Sequence, residues 1–249
     1  MIYYKSQSEI EKLKAAGKIV NHALVEVEKS IKPGITTARL DEIAENFIRS
    51  HGALPGFKGY NGFPATLCVS LNEEVVHGIP SRRELRDGDI VSIDCGTILN
   101  GYWGDHARTF AVGEISNEKK TLMKITEASL YAGIEKAVIG GHLSDIGNAV
   151  QNIAEKAGYS VVRSLVGHGV GQNLHEEPQV PNYGKAGRGL TLKQGLVIAI
   201  EPMINIGSHE VFTEADGWTI ITKDRKTSAH FEHTIAITEN GPEILTNGQ

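Results

Sequence analysis

Two ten-residue strings of this chain lie over one another, and each ends on an acid. Leu85-Arg86-Asp87-Gly88-Asp89-Ile90-Val91-Ser92-Ile93-Asp94 aligns with Leu192-Lys193-Gln194-Gly195-Leu196-Val197-Ile198-Ala199-Ile200-Glu201, and in both the acid stands six residues after the glycine. The apolar stretches Ile90 to Ile93 and Leu196 to Ile200 predict buried strands that end on Asp94 and Glu201. A carboxylate set against a buried strand costs several kcal/mol unless it is paired, protonated or bound to metal. Any fold of this chain must therefore bring compensation to both acids.

The repeat extends to the helices. Ser8-Glu9-Ile10-Glu11 reads as a capping box, and the apolar positions Ile10, Leu13, Val20, Leu24, Val27 and Ile31 predict one long helix stopped by Pro33-Gly34. Thr37 opens a second, with Leu40, Ile43, Ala44, Phe47 and Ile48 on one face and Gly52 at its end. Residues 118 to 139 (Leu122, Ile125, Leu130, Ile134, Val138) and Ser144 to Ala157 repeat this plan, broken by Gly140-Gly141 and ended by Gly158. Anchored on Gly52 and Gly158, Leu40 matches Ile146, Ala44 matches Val150 and Phe47 matches Ile153. Between the helix pairs, Thr66 to His77 and Asp89 to Thr97 read as strands, and Asn100-Gly101 as a type I′ turn into Tyr102 to Val112. His77-Gly78-Ile79-Pro80 echoes His175-Glu176-Glu177-Pro178, and Asp105 and Glu232 precede Gly113 and Gly241 by eight and nine residues. The pattern predicts an internal duplication: one domain of two pseudo-symmetric halves, about 1–113 and 114–249, whose acids meet where the halves meet.

Composition narrows the function. Lys+Arg 25 against Asp+Glu 30 gives a net charge of −5, and the basic residues never run beyond pairs such as Arg82-Arg83, which argues against nucleic-acid or membrane partners. Cys68 and Cys95 allow one disulfide at most and no cysteine zinc site, so a reducing compartment is expected. Met1 to Ser6 lacks the apolar core of a signal peptide, and no stretch approaches the ~18 apolar residues of a membrane span, so a cytoplasmic protein is expected.

His168 sits in Val166-Gly167-His168-Gly169-Val170-Gly171, where small neighbours leave the imidazole unobstructed. One imidazole with the four carboxylates Asp94, Asp105, Glu201 and Glu232 is an oxygen-rich donor set suited to two divalent first-row metals. Four carboxylates carry −4 and two such ions +4, which leaves the set neutral.

These residues lie in strings that together resemble the type I methionine aminopeptidases, in their short bacterial form. The strings are Asn72-Glu73-Glu74-Val75-Val76-His77-Gly78-Ile79-Pro80, Gly88 to Asp94, Gly101-Tyr102-Trp103-Gly104-Asp105, Gly167 to Gly171 with His175-Glu176-Glu177-Pro178, Ile200-Glu201-Pro202 and Phe231-Glu232-His233-Thr234. The resemblance implies an α+β pita-bread fold, a curved and mainly antiparallel sheet flanked by helices with internal pseudo-twofold symmetry. It implies a metalloexopeptidase that removes the initiator methionine from nascent proteins and peptides when the second residue is small, through a water activated by two divalent ions (Co, Mn, Fe or Zn). Asp94, Asp105, His168, Glu201 and Glu232 are then similar to the ligands, with Asp105 and Glu232 as the bridging pair. Glu201, His77 and His175 carry the catalytic roles by the same resemblance, His175 toward the scissile carbonyl and His77 toward the peptide. Tyr60, Phe63, Cys68 and Trp218 resemble the methionine pocket, and an aromatic slot suits a polarisable thioether.

Departures from the pattern are His106, where many relatives carry a small or hydroxylic residue, and Leu174, where some carry an aromatic. Only 31 positions separate Glu201 from Glu232, too few for the helical insertion of type II enzymes, and no zinc-binding extension is expected. Two other readings exist. A proline-directed peptidase of this fold is expected to add an N-terminal domain, and a non-catalytic peptide-binding module is expected to have lost ligands. The expected partners are peptide and nascent-protein N-termini, with the ribosome suggested by that activity, and the expected state is a monomer.

Overall fold

Asn100 and Gly101 take φ of 51° and 81°, so both central residues of the turn are left-handed, as a type I′ hairpin demands. That turn pairs two long strands in unbroken antiparallel register from Leu99↔Tyr102 to Ile90↔Ala111. The computed structural model describes residues 1–248. Two helices, α1 (Gln7–Glu28) and α2 (Thr37–Ser50), are followed by β1 (Leu54–Pro55), β2 (Leu67–Leu71), β3 (Glu74–Val76), β4 (Ile90–Leu99) and β5 (Tyr102–Ala111). A second helix pair, α3 (Asn117–Ile134) and α4 (Leu143–Lys156), precedes β6 (Ser160–Val161), β7 (Gly167–Gly169), β8 (Glu176–Val180), β9 (Val197–Ile200) and β10 (Met203–Asn205). The chain closes with β11 (Val211–Thr213), β12 (Ile220–Thr222), β13 (Ser228–His230), β14 (His233–Thr238) and β15 (Gly241–Ile244). Strand pairing is antiparallel throughout these sheets, with β1, β2 and β5 around β4 in one and the order β15-β14-β9-β7-β8 in another. Among the described residues no helix is long and apolar enough to cross a membrane.

The aligned strings take up matching positions. Gly34 N–H donates to the Leu85 carbonyl at 2.8 Å and Gly140 N–H to the Leu192 carbonyl at 3.0 Å. The bridges Thr36↔Glu84 and His142↔Thr191 correspond, and Gly88 and Gly195 share a left-handed φ of 89° and 86°. Leu40, Ala44, Ile146 and Val150 are all buried, and Phe47 and Ile153 are both half-buried.

Period-two alternation then sorts the strands into two faces. Val91, Ile93 and Cys95 of β4 pack into the core with Leu40, Ala44 and Ile48 of α2. Ile198 and Ile200 of β9 join Ile235 and Ile237 of β14 against Leu130, Ile134 and Ile146 of the second helix pair. Val197, Ala199 and Ala236 point to the opposite face, among Phe57, Phe63, Cys68 and Trp103. Asp94, Asp105, Glu201 and Glu232 share the parity of that second face.

Some boundaries differ from the sequence reading. The capping box is built by Ser6 and Glu9 rather than Ser8 and Glu11, with Ser6 N–H donating to Glu9 Oε2 at 2.8 Å, so α1 starts two residues earlier. The helix ends at Glu28, and Ile31 packs from the turn beyond. Val138 is 41% exposed, because α3 stops at Ile134. The stretch Thr66 to His77 is two strands, not one, because Asn72 turns left-handed (φ 51°) and sends β2 to β4 and β3 to β12. Asp94 lies inside β4, which runs on to Leu99, whereas Glu201 follows directly on β9 as expected.

Helix α1 lies against the sheet backbone itself. A Cβ on Gly104 would fall on the main chain of Ala16 and Gly17, and Thr97 Oγ1 donates to the Ala16 carbonyl at 3.0 Å. Gly104→Ala is therefore expected to cost about 1–3 kcal/mol through overpacking, measured by chemical denaturation. Unchanged stability would mean that α1 does not approach this closely.

Candidate metal centre

The hairpin register sets the first pair of acids. Asp94 stands opposite Ala107 and Asp105 opposite Gly96, so the two carboxylates are diagonal neighbours on one face. In the other sheet His233 pairs with Ile200, which puts Glu232 one step further on beside Glu201. The two sheets are joined at this point: Glu232 N–H donates to the Ala107 carbonyl at 2.9 Å, and Thr234 Oγ1 to the Asp105 carbonyl at 2.8 Å. From β7, His168 Nε2 reaches to 3.4 Å from Glu201 Oε1 and 3.7 Å from Asp105 Oδ2. Asp105, His168 and Glu232 offer ligand atoms that all lie within 4.8 Å of one another. Asp94 and Glu201 line the same cavity outside that tightest group.

The electrostatics are those of a cation site. Asp105 and Glu232 are 3% and 2% exposed, and Asp94 Oδ1, Asp105 Oδ1 and Glu232 Oε1 are buried with no hydrogen-bond partner. Burial, reinforced by the neighbouring carboxylates, pushes Asp94, Glu201 and Glu232 well above the usual carboxylate range. Burial likewise lifts Asp105 to about 7. It pulls His168 down to about 4, which keeps the imidazole in its neutral, metal-binding form near pH 7. Three orphaned carboxylate oxygens around a neutral imidazole fit divalent metal by the chemistry of the donors.

The remaining expected residues surround a cavity of about 590 Å³ above these acids. Cys68 lies opposite Asp94 in the β2–β4 register. Phe63 and Trp218 meet edge to face at 5.1 Å and 75°. Tyr60 O–H and His175 Nδ1 are 2.9 Å apart, and the His175 ring lies 4.3 Å from that of His168. His77 holds a left-handed φ of 60°, a conformation that costs of order 1–3 kcal/mol in a non-glycine residue, and burial pulls its imidazole down to about 4. Leu174 is 3% exposed and belongs to the core beside the cavity.

Other supporting residues carried no readable signal. Lys5 and Glu176 form an ion pair in which each side chain is 7% exposed, and Glu176 Oε1 also accepts the Asn173 N–H at 3.2 Å. The pair braces the turn between His168 and His175, yet its members are 171 residues apart. Asn182 Nδ2 donates to the Glu201 carbonyl at 3.1 Å. His230, 1% exposed, is pulled down to about 3 by burial, with a further contribution from the neighbouring His77. Of these, only Glu176 lies inside one of the motif strings.

The profile of Metallopeptidase family M24 matches residues 11–239. The chain belongs to this family. It is 56% identical over 247 residues to a methionine aminopeptidase of Clostridium acetobutylicum, with 99% of each chain covered. The crystal structure of methionine aminopeptidase from Rickettsia prowazekii superposes with a TM-score of 0.97 at 44% identity, covering 99% of this chain and 100% of that one. A prolidase from Pyrococcus horikoshii superposes with a TM-score of 0.80 at 25% identity, but this chain covers only 64% of it. The fold is thus the pita-bread fold, and the protein is a metallopeptidase that uses divalent metal.

Because the raised carboxyls hold protons that a metal must displace, affinity should rise as pH is raised from about 5 through about 7. His168, at about 4, is already neutral there and releases none. Calorimetric titration at pH 6 in two buffers of different ionisation enthalpy should show net proton release. Its absence would mean that the acids are not protonated before metal binds.

Proposed function

We propose that this chain is a methionine aminopeptidase of the short type I form, which removes the initiator methionine when the second residue is small. The observation that carries the reading is the aromatic slot of Tyr60, Phe63 and Trp218 opening directly onto orphaned buried carboxylates. Full-length identity to methionine aminopeptidases supports it. In this reading the ligands are Asp94, Asp105, His168, Glu201 and Glu232, holding two divalent ions drawn from Co, Mn, Fe and Zn. Such ions would supply an acidified water as nucleophile and polarise the scissile carbonyl. The two halves, about 1–113 and 114–249, each contribute two of the acids. The substrates are peptide and nascent-protein N-termini, met in the cytoplasm by a monomer and, for nascent chains, at the ribosome.

The protein's own groups do the rest. Tyr60 O–H donating to His175 Nδ1 leaves the proton on Nε2, so that Nε2–H donates to the carbonyl oxygen as it gains charge. Burial keeps the His175 pKa below its ordinary value, so the group acts as a neutral donor rather than a cation. His77 lines the same cavity and positions the peptide. Phe63, Trp218 and Cys68 enclose the methionine side chain, and an aromatic-lined slot suits its polarisable thioether.

Two outcomes follow. Methionine should be released from a Met-Ala-Ser peptide in preference to Met-Leu-Ser and to N-formylated peptide, and chelation should abolish release. Efficient cleavage of X-Pro peptides would instead move the protein toward the prolidases. Second, Glu232→Ala should lose metal and activity together, whereas His175→Ala should keep its metal while kcat falls about 10²-fold or more. Elemental analysis beside steady-state kinetics separates the two, and metal loss in His175→Ala would overturn the ligand set.

A further inference from the structure

One of the two residues that depart from the family pattern, His106, lies directly behind the acids. Asp105 faces the cavity from β5, so its neighbour His106 faces the opposite side. Glu232 and His233 repeat that arrangement across the junction at β14. The rings of His106 and His233 stack at 4.5 Å with planes 10° apart, behind the carboxylates of the residues preceding them. His106 Nδ1 is bonded to the main-chain carbonyl of Glu232. A carbonyl only accepts, so Nδ1 carries the proton and Nε2 is bare. Nε2 is buried without a partner, beside a second, polar cavity of about 190 Å³ that Asn21, Arg108 and Tyr131 also line. His233 is held from its other side by Thr246, whose Oγ1 is 2.8 Å from Nδ1.

Glu232 is consequently pinned at both main-chain polar groups by consecutive residues of one strand. Its N–H donates to Ala107 and its carbonyl accepts from His106, so it cannot slide along β5 without breaking one of them. We propose that His106 is a positioning residue, which sets the spacing of Asp105 and Glu232 and with it the affinity of the centre for divalent metal. The inference rests on the reading of those two acids as metal ligands. Groups that orient a ligand in this way are worth about 10- to 100-fold in metal affinity.

The test uses cobalt(II) alone, titrated into the metal-free full-length protein and followed by visible absorption and calorimetry, with thermal melts to verify folding. In His106→Asn the amide nitrogen takes the place of Nδ1 and can still donate to the Glu232 carbonyl. In His106→Gln the amide reaches the place of Nε2 and cannot. The asparagine variant should bind cobalt within about threefold of the parent, while the glutamine variant should bind about 10-fold or more weakly with an altered absorption band. Equal binding by parent, Asn and Gln proteins would overturn the inference, as would equal weakening of both variants. A parent that binds no cobalt overturns the metal-centre reading itself, and the inference with it.

Discussion

Like charges cannot be gathered in a protein interior without a counter-charge, and this fold gathers four carboxylates at one junction. Asp105 and Glu232 are almost fully buried, and oxygens of Asp94, Asp105 and Glu232 find no donor. Elsewhere the chain compensates such groups with care: buried Glu176 has Lys5, and Asp41 accepts the Thr66 and Leu67 N–H groups. The absence of donors at the junction is therefore local and specific. A cation repays the desolvation of the acids, so metal binding and the integrity of the sheet junction are coupled.

The architecture follows from that demand. Each acid sits on, or one residue beyond, a strand whose other face is locked into a helix-backed core, Val91 and Ile93 against α2 and Ile198 and Ile200 against the second helix pair. Alternation along the strand then aims the acid at the cavity with no adjustable element between it and the core. The short links Glu232 to Ala107 and Thr234 to Asp105 make the two sheets one surface at this point, and Thr109 Oγ1, donating to the His230 carbonyl, ties β5 to β13 of a third. His168 stands on the short strand β7 and His175 on the turn that follows it, and the buried Lys5–Glu176 pair gives that turn a rigidity that its glycines do not supply.

The chemistry of the site divides along the same line. The deep groups are held by strands and are nearly shut off from water, which raises carboxyl pKa values and lowers that of His168. His175, by contrast, is exposed at the rim with Tyr60 as its partner, where the proposed function turns it toward a substrate carbonyl.

The residues proposed to carry the chemistry were legible in the sequence because they stand in strings with short, fixed internal spacing. Gly88 to Asp94 and Gly195 to Glu201 announce strand, turn and acid together, and Asn100-Gly101 announces the hairpin that sets Asp94 beside Asp105. Local rules decide such features, so one sequence suffices. Boundaries were less legible: Ser6 rather than Ser8 caps α1, and Asn72 splits a strand, because each depends on which backbone groups find partners. What only tertiary structure decided is the set of long-range supports, namely Lys5 with Glu176, Asn182 on Glu201, and His106 stacked on His233 behind the acids. The sequence determined which groups the site contains; the packing of the two sheets determined what holds them. The reason is physical, since a buried ion pair or a stack between residues more than a hundred positions apart leaves no periodicity or spacing for a sequence to display.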